Sequence, residues 1–255
     1  MKKIFVFLIL GLLIAMPIVA AASVAEARLD WLESKEESIE ARQEHREAKL
    51  KYQGNKTDEN EQAVVDTGKE SLHAALNEAE AWLEWKDVAA EENPWISDDL
   101  KEEIQNDVDI NLEKIDELRE DVDAIDTKGE LFVVWLNMVG KYGELLTDVA
   151  RNNGKAWVEM AEERIERMEE YEAKLREAAG DDEDILDDLD EVLDELEKAE
   201  KNLGYAEVEY GSVTVGHNPI VNFHEGNQRM RSVRLNLQNA HVNLRQAFNK
   251  ILMEQ

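Results

Sequence analysis

The residues best suited to metal chemistry are three histidines and a glutamate in the C-terminal quarter of the sequence. These residues are His217, His224, Glu225 and His241. Imidazole and carboxylate groups are suitable ligands for transition metals. No two of these ligands are spaced four residues apart, as two ligands on successive turns of one helix face would be. We therefore expect solvated side chains here, with no metal site and no bound cofactor.

The acid run from Asp181 to Glu195 is rich in the ligands that calcium prefers. It lacks the central glycine and the alternating ligand spacing of a helix–loop–helix calcium site. A helix also directs neighbouring carboxylates apart instead of around one ion. We expect loosely held cations over this surface and no discrete calcium site.

No residue can be nominated as catalytic from the spacing of nucleophiles and bases. The sequence contains neither a Gly-rich phosphate loop nor a G-x-S-x-G turn, and it contains no Cys. Among 59 acids, no carboxylate pair stands out for acid–base catalysis. We therefore expect that the protein is not an enzyme.

The six tryptophans fall into groups with different expected roles. Trp82 and Trp85 are three residues apart, and Trp95 stands just before a predicted helix. These three residues form a candidate surface for a partner protein or a glycan. Trp135 and Trp157 fall on apolar helix stripes, so we expect them in the core.

Charge and composition exclude several classes of protein. The chain carries 59 acids against 29 Lys and Arg, which gives a formal net charge of −30. A nucleic-acid partner is not expected, because such a surface repels the phosphate backbone. The 43% of apolar residues argue against general disorder.

Residues 1–27 have the pattern of an export signal. Lys2 and Lys3 precede an apolar run at 4–19, and small residues that offer several cleavage positions follow. The alternative is an uncleaved anchor, because uncharged residues 4–25 are long enough to span a bilayer as a helix. In either case we expect the rest of the chain to be exported, either secreted or held at the cell envelope or surface.

The rest of the sequence reads as helices separated by sparse Gly and Pro residues. Apolar residues recur at alternating steps of four and three, which is the spacing of coiled-coil seams. Thr127 with Glu130, and Thr67 with Glu70, have the spacing of a capping box at a helix start. The predicted helices lie near residues 24–52, 57–92, 97–126, 128–152, 155–179, 182–209 and 221–253.

Four stripes carry this periodicity. Asn111 is the only polar member of the first stripe. The stripes are Ile104, Val108, Asn111, Ile115, Leu118, Val122 and Ile125; Leu131, Trp135, Met138, Tyr142, Leu145 and Val149; Ile185, Leu189, Val192, Leu196, Ala199 and Leu203; and Met230, Val233, Leu237, Ala240, Leu244, Ala247 and Ile251.

These elements predict an all-α fold. We expect an elongated antiparallel helical bundle, or stacked helical hairpins, with coiled-coil-like packing after an N-terminal signal helix. The chain divides into a signal peptide or membrane anchor at 1–27, an N-terminal helical hairpin at 28–95, a central helical hairpin at 96–153 and a C-terminal three-helix segment at 154–255.

Opposite charges predict one particular helix pair. Residues 181–200 contain twelve acids and one Lys, whereas residues 220–255 contain five bases and two acids. We expect helix 182–209 to pair antiparallel with helix 221–253. Exposed ion pairs contribute only about 0.2–1 kcal/mol each, so the apolar seam must supply most of the stability. The seam residues are Leu189, Leu196, Leu237 and Leu244.

Several of these features together resemble a known group of proteins. They are the Thr-x-x-Glu-Leu helix start at 127–131, the Trp-bearing helix behind it, the Gly180-Asp181 break and the Ala- and Arg-rich last helix. In these features the chain resembles uncharacterised exported all-helical proteins of archaea and candidate-phylum bacteria. The resemblance covers residues 97–255. It implies an exported helical bundle and brings no catalytic residue.

Two functions fit these expectations. The favoured one is a non-catalytic, acidic helical scaffold or interaction protein at the cell surface or envelope, with a protein partner that the sequence does not identify. The alternative is an envelope chaperone or stress-type binding protein, which would need an exposed apolar surface. Homo-oligomers are also open, because seams of this spacing pair between chains as well as within one chain.

The high net charge generates a prediction about salt. Shielding should reduce repulsion among the acids, so we expect a higher melting temperature in about 0.5 M than in about 0.01 M salt. Differential scanning calorimetry at both ionic strengths measures this difference. No rise, or a fall, would mean that local ion pairs outweigh the general repulsion.

Overall fold

The computed structural model describes residues 22–253. In this part of the chain there are six helices and no strand, so the predicted all-α class is confirmed there. The predicted signal segment lies outside the described residues as far as residue 21. None of the described helices is long and apolar enough to cross a membrane. The helices are α1 Ala22–Gly54, α2 Asp58–Glu91, α3 Asp98–Asp123, α4 Lys128–Ala179, α5 Glu183–Gly211 and α6 Pro219–Met253.

The described residues belong to two compact units. The first unit holds residues 22–92 and 115–134, and the second holds residues 93–114 and 135–253. The helices α3 and α4 therefore each contribute to both units.

In the first unit, α1 and α2 form an antiparallel hairpin. Ser23 Oγ donates to Glu92 Oε1 over 2.8 Å at one end, and Tyr52 Oη donates to Glu61 Oε2 over 2.9 Å at the other. The inner side of α1 follows alternating steps of three and four, and most of its positions hold small residues, which lets the two helices approach closely. These residues include Ala27, Ser34, Ser38, Ala41 and Ala48.

One of the two predicted capping boxes is present at a helix start. The Glu130 backbone N–H donates to Thr127 Oγ1 over 3.2 Å, and the Thr127 N–H donates to Glu130 Oε2 over 2.9 Å, so the capping box at α4 is confirmed. The capping box predicted at Thr67 is wrong, because Thr67 lies inside α2 and its hydroxyl donates to the Ala63 carbonyl. Thr57 caps α2 instead.

The predicted helix break at Gly154 is wrong. The helix α4 continues through this residue for 52 residues, so the stretches 128–152 and 155–179 are one element. The boundary drawn at 153/154 between the central hairpin and the C-terminal segment therefore falls inside a helix. The break predicted at Gly180 is confirmed, since α4 ends at Ala179 and Gly180 has φ +63°, which glycine adopts without strain.

In the second unit, a polar contact lies within the packing of α3 against α4. Asn111 is fully buried, and its Nδ2 donates to the Asp107 carbonyl over 2.7 Å and to Asp148 Oδ2 over 3.2 Å. Arg151 pairs with both acids, at 2.6 Å from Asp107 and 3.2 Å from Asp148. A single polar group that needs these partners favours one register of the two helices.

The helices α5 and α6 pack antiparallel in the second unit. The ion pair of Lys250 with Asp188 (2.6 Å) joins the start of α5 to the end of α6, and Tyr210 Oη donates to Asn227 Oδ1 (2.9 Å) at the opposite ends. The seam leucines are all buried in one apolar cluster, to which α4 also contributes. They are Leu189, Leu196, Leu237 and Leu244.

Two leucines one turn apart on α5 provide a test of this packing. Leu196 is buried in the cluster, whereas Leu193 is 40% exposed. We expect Leu196→Asp to cost at least about 3 kcal/mol of unfolding free energy, because it creates a cavity and buries a charge. Leu193→Asp, with the same chemistry at an exposed site, should cost less than about 1 kcal/mol. Urea denaturation followed by circular dichroism measures both, and equal losses would contradict the seam.

Candidate interaction surfaces

Trp85 packs against Trp31 of the neighbouring helix in the first unit. The two ring centroids are 5.0 Å apart and the rings are nearly parallel, at 14°. The cationic groups of Lys86 and Arg28 lie 4.4 and 5.9 Å from the Trp85 ring centroid, and that of Lys35 lies 5.0 Å from Trp31. Burial lowers the pKa of Lys86. Trp85 thus joins α1 to α2, and much of its ring is already occupied by neighbours.

The other two members of the predicted partner surface are half-buried. Trp82 lies on α2 in the first unit, and Trp95 precedes α3 in the second unit. The Arg167 guanidinium lies 3.8 Å from the Trp95 ring centroid, and the Trp95 backbone N–H donates to Asn93 Oδ1 over 2.9 Å. A partner surface on Trp82, Trp85 and Trp95 stays a prediction.

The histidines at the α5–α6 end make contacts with polar neighbours. His217 Nδ1 lies 3.4 Å from Thr214 Oγ1, and His224 Nε2 lies 2.7 Å from Gln228 Nε2. His241 lies exposed on α6. Within residues 22–253, no three His, Asp or Glu side chains are grouped so that they could hold a metal ion.

Acids crowd together where α4 faces α5. Burial raises the pKa of Glu162, and the charges of Glu207 and Glu159 raise it further. Partial burial likewise raises the pKa of Glu169, and the charge of Glu200 raises it further. Ionisation of these two carboxyls therefore opposes folding, and cations near this face would relieve the repulsion.

Trp135 and Trp157 are not core residues, which corrects the prediction from their stripes. Their exposed fractions are 48% and 42%. Trp157 packs one side against an aromatic cluster at the α5–α6 end, with its ring centroid 6.3 Å from Tyr210 and 6.2 Å from Phe223. The stripe placed these indoles on a helix face correctly, but periodicity does not show whether another helix covers that part of the face.

Tyr210 lies between two helices that meet its ring at glycines. A Cβ atom on Gly154 would come within 2.3 Å of the ring, and one on Gly226 within 2.6 Å. Burial raises the pKa of Tyr210 to about 12, so its hydroxyl stays protonated at neutral pH and donates to Asn227. The role of Gly154 is therefore close packing against an aromatic ring, which explains why the helix continues through it.

The connection between α5 and α6 displays apolar side chains to solvent. Val215, Ile220 and Val221 are exposed, and Ile220 has the highest exposed fraction, 84%. Ile220 lies one helical turn from Phe223, which belongs to the aromatic cluster. Residues 210–224 contain no Asp, Glu, Lys or Arg. We call Val215, Ile220 and Val221 the hairpin tip.

A second apolar surface lies on the first half of α4. Leu136, Val139 and Leu146 are exposed by 49%, 52% and 54%, and a Cβ on Gly143 would meet no atom within 4 Å. With Ala150, these residues follow steps of three and four, so they lie on one side of the helix. We call Leu136, Val139, Gly143, Leu146 and Ala150 the α4 ridge.

Sequence reasoning missed both surfaces, although a signal existed for each. The α4 ridge is a second apolar stripe with coiled-coil spacing, next to the buried stripe of the same helix. One neighbouring helix cannot bury two apolar faces. The hairpin tip is a stretch without acids or bases in a chain of net charge −30.

No protein-family model matches the chain, and no curated protein or solved structure shows significant similarity to it.

Two glycines inside helices provide a test of the Tyr210 contact. We expect Gly154→Ala to lower the unfolding free energy by about 1–3 kcal/mol, because the added methyl group forces the ring away. Gly204 of α5 has no atom within 4 Å of an added Cβ. Gly204→Ala should therefore raise the unfolding free energy, by up to about 1 kcal/mol. Thermal denaturation compares the two, and a stabilised Gly154→Ala variant would contradict the close contact.

Proposed function

We propose that this chain is an exported, acidic helical scaffold or interaction protein of the cell surface or envelope, without catalytic activity. In this proposal, the end of the α5–α6 hairpin, which meets α4 at Gly154, offers an uncharged docking surface. The N-terminal sequence pattern supports export, although it lies mostly outside the described residues.

The observation that carries the proposal is the hairpin tip. Ile220, Val221 and Val215 face solvent, although burying them would be favourable. Residues 210–224 around them lack charged side chains of the Asp, Glu, Lys and Arg types. Exposed apolar groups that are rimmed by polar surface are typical of protein contact sites. An aromatic cluster beneath the tip, made by Trp157, Tyr210 and Phe223, gives it a rigid base.

Coiled-coil-like packing of long helices is the second part of the proposal. The stripes on α5 and α6 have the spacing of coiled-coil seams, and their members are buried or partly buried. A helix pair of this kind is stiff and can act as a spacer. The tip is the end of this helix pair that meets the middle of α4, where Tyr210 contacts Gly154.

The acidic exterior sets which partners we expect. A net charge of −30 keeps the protein soluble, attracts basic partners and loosely held cations, and repels nucleic acid. We propose a protein partner that contributes an apolar contact for the tip.

An envelope chaperone is the second candidate, and the same exposed apolar side chains favour it. A chaperone would bind many unfolded clients, whereas a scaffold would bind a defined partner. Binding of a dye for exposed apolar surface, measured beside recovery of bound proteins, separates the two functions.

The test is a capture experiment with the exported protein and a variant of the tip. We expect the wild-type protein to recover a defined partner from envelope extract, and the double variant Ile220→Ser, Val221→Ser to recover at least about tenfold less, because the apolar contact is lost. Quantitative mass spectrometry of the bound fraction measures the recovery.

Leu235→Ser is the matched control, because Leu235 is an exposed apolar residue on α6 away from the tip, with an exposed fraction of 60%. Its recovery should equal that of the wild type. Equal recovery by the tip variant would contradict the proposal, and strong dye binding with many clients would favour the chaperone.

A further inference from the structure

The α4 ridge presents no charge in a chain dominated by charges. The charged residues of this stretch are Lys141, Glu144 and Asp148. At about 100° per residue they lie roughly 140–200° around the helix from Val139. Glu144 pairs with Lys114 at 3.1 Å, which directs it toward α3 and away from the ridge.

The side of α4 that bears the ridge is covered farther along the same helix. At about 100° per residue, Gly154, Ala161 and Met168 all lie within about 60° of Val139 around the helix. Gly154 contacts Tyr210 of α5, and Ala161 and Met168 belong to the apolar cluster with α5 and α6. One helix side is thus filled by a helical hairpin from Gly154 onward and left open from Leu136 to Leu146. The ridge continues a surface that packs against helices, so a helix is the expected occupant.

The α4 ridge is complementary in shape to a second α4 ridge that runs in the opposite direction. If a second α4 runs antiparallel, with a two-fold axis at the level of residue 141, Val139 lies opposite Gly143 of the second copy. Leu136 then lies opposite Leu146 of the second copy. Near the two-fold axis, Val139 of each copy thus packs on Gly143 of the other. Farther from the axis, Leu136 of each copy packs on Leu146 of the other. Among the described residues no atom lies within 4 Å of a Cβ added at Gly143, so the surface of this glycine is open to a neighbour.

We propose that the α4 ridge is the contact surface of a symmetric dimer, in which it pairs antiparallel with the α4 ridge of a second copy of this chain. Such an interface is isologous, so the same residues serve both partners. Repulsion between two chains of net charge −30 opposes the dimer, and only an uncharged face permits close contact. The dimer uses residues other than those of the hairpin tip, and Trp157 at the base of the tip lies on the same side of α4 about two turns past Ala150.

The oligomeric state of the full exported protein tests the proposal. We expect sedimentation velocity to show a monomer–dimer equilibrium that shifts toward dimer with rising protein concentration, and with rising salt because the repulsion is screened. Val139→Glu should raise the dimer dissociation constant at least about a hundredfold, because it places an unpaired charge in an apolar contact. Leu235→Glu puts the same charge at an exposed apolar position on α6 and should leave the constant unchanged.

Disulfide trapping tests the antiparallel register separately. The chain contains no Cys, so introduced thiols are the only ones present. When equal amounts of Val139→Cys and Gly143→Cys proteins of different tag length are mixed and oxidised, random pairing would make the mixed disulfide equal to the sum of the two homodisulfides. In the antiparallel register the mixed disulfide should clearly exceed that sum, because only unlike positions come within bonding distance.

Three results would overturn the dimer proposal: a monomer at every concentration and salt, an equally tight dimer of the Val139→Glu variant, or a mixed disulfide that does not exceed the two homodisulfides together. None of them would bear on the hairpin tip, whose failure is measured by partner capture.

Discussion

Apolar burial along one side of each helix is the interaction on which this structure depends, because it must outweigh repulsion among 59 acids. The pair α5–α6 shows how this is achieved. An acid-rich helix packs against a helix with excess base, and Lys250 pairs with Asp188 at the edge of a fully apolar seam. Where two acidic faces meet instead, partial burial and then the charge of Glu207 raise the pKa of Glu162. Surface ion pairs thus adjust the stability that the seam provides.

The second constraint is the close approach of helices at an aromatic ring. Tyr210 occupies space that any side chain on Gly154 or Gly226 would fill. Its ring therefore joins α4, α5 and α6 at one level, and Trp157 and Phe223 extend this contact toward solvent. The proposed docking tip adjoins this cluster, so core packing sets the position of its two α6 residues, Ile220 and Val221.

Both proposed contact surfaces are uncharged parts of a highly charged molecule. A surface of net charge −30 repels most acidic neighbours and most copies of itself. Contacts that exclude water must therefore form where charge is absent, at the hairpin tip or on the α4 ridge. The two surfaces serve different purposes in our proposals, since one binds another protein and the other binds a second copy.

The sequence by itself determined the all-α class, the capping box of Thr127 with Glu130 and the end of α4 at Gly180, because these follow from local backbone chemistry and helical periodicity. It also indicated the stripes that are buried between α5 and α6. Only the tertiary structure decided that Gly154 continues a helix, that Trp31 stacks on Trp85, and that Trp135 and Trp157 face solvent. Periodicity assigns a residue to one side of a helix, but coverage of that side depends on residues distant in sequence. For the same reason, the sequence signals of the tip and the ridge do not show that these residues are exposed, which depends on the positions of the neighbouring helices.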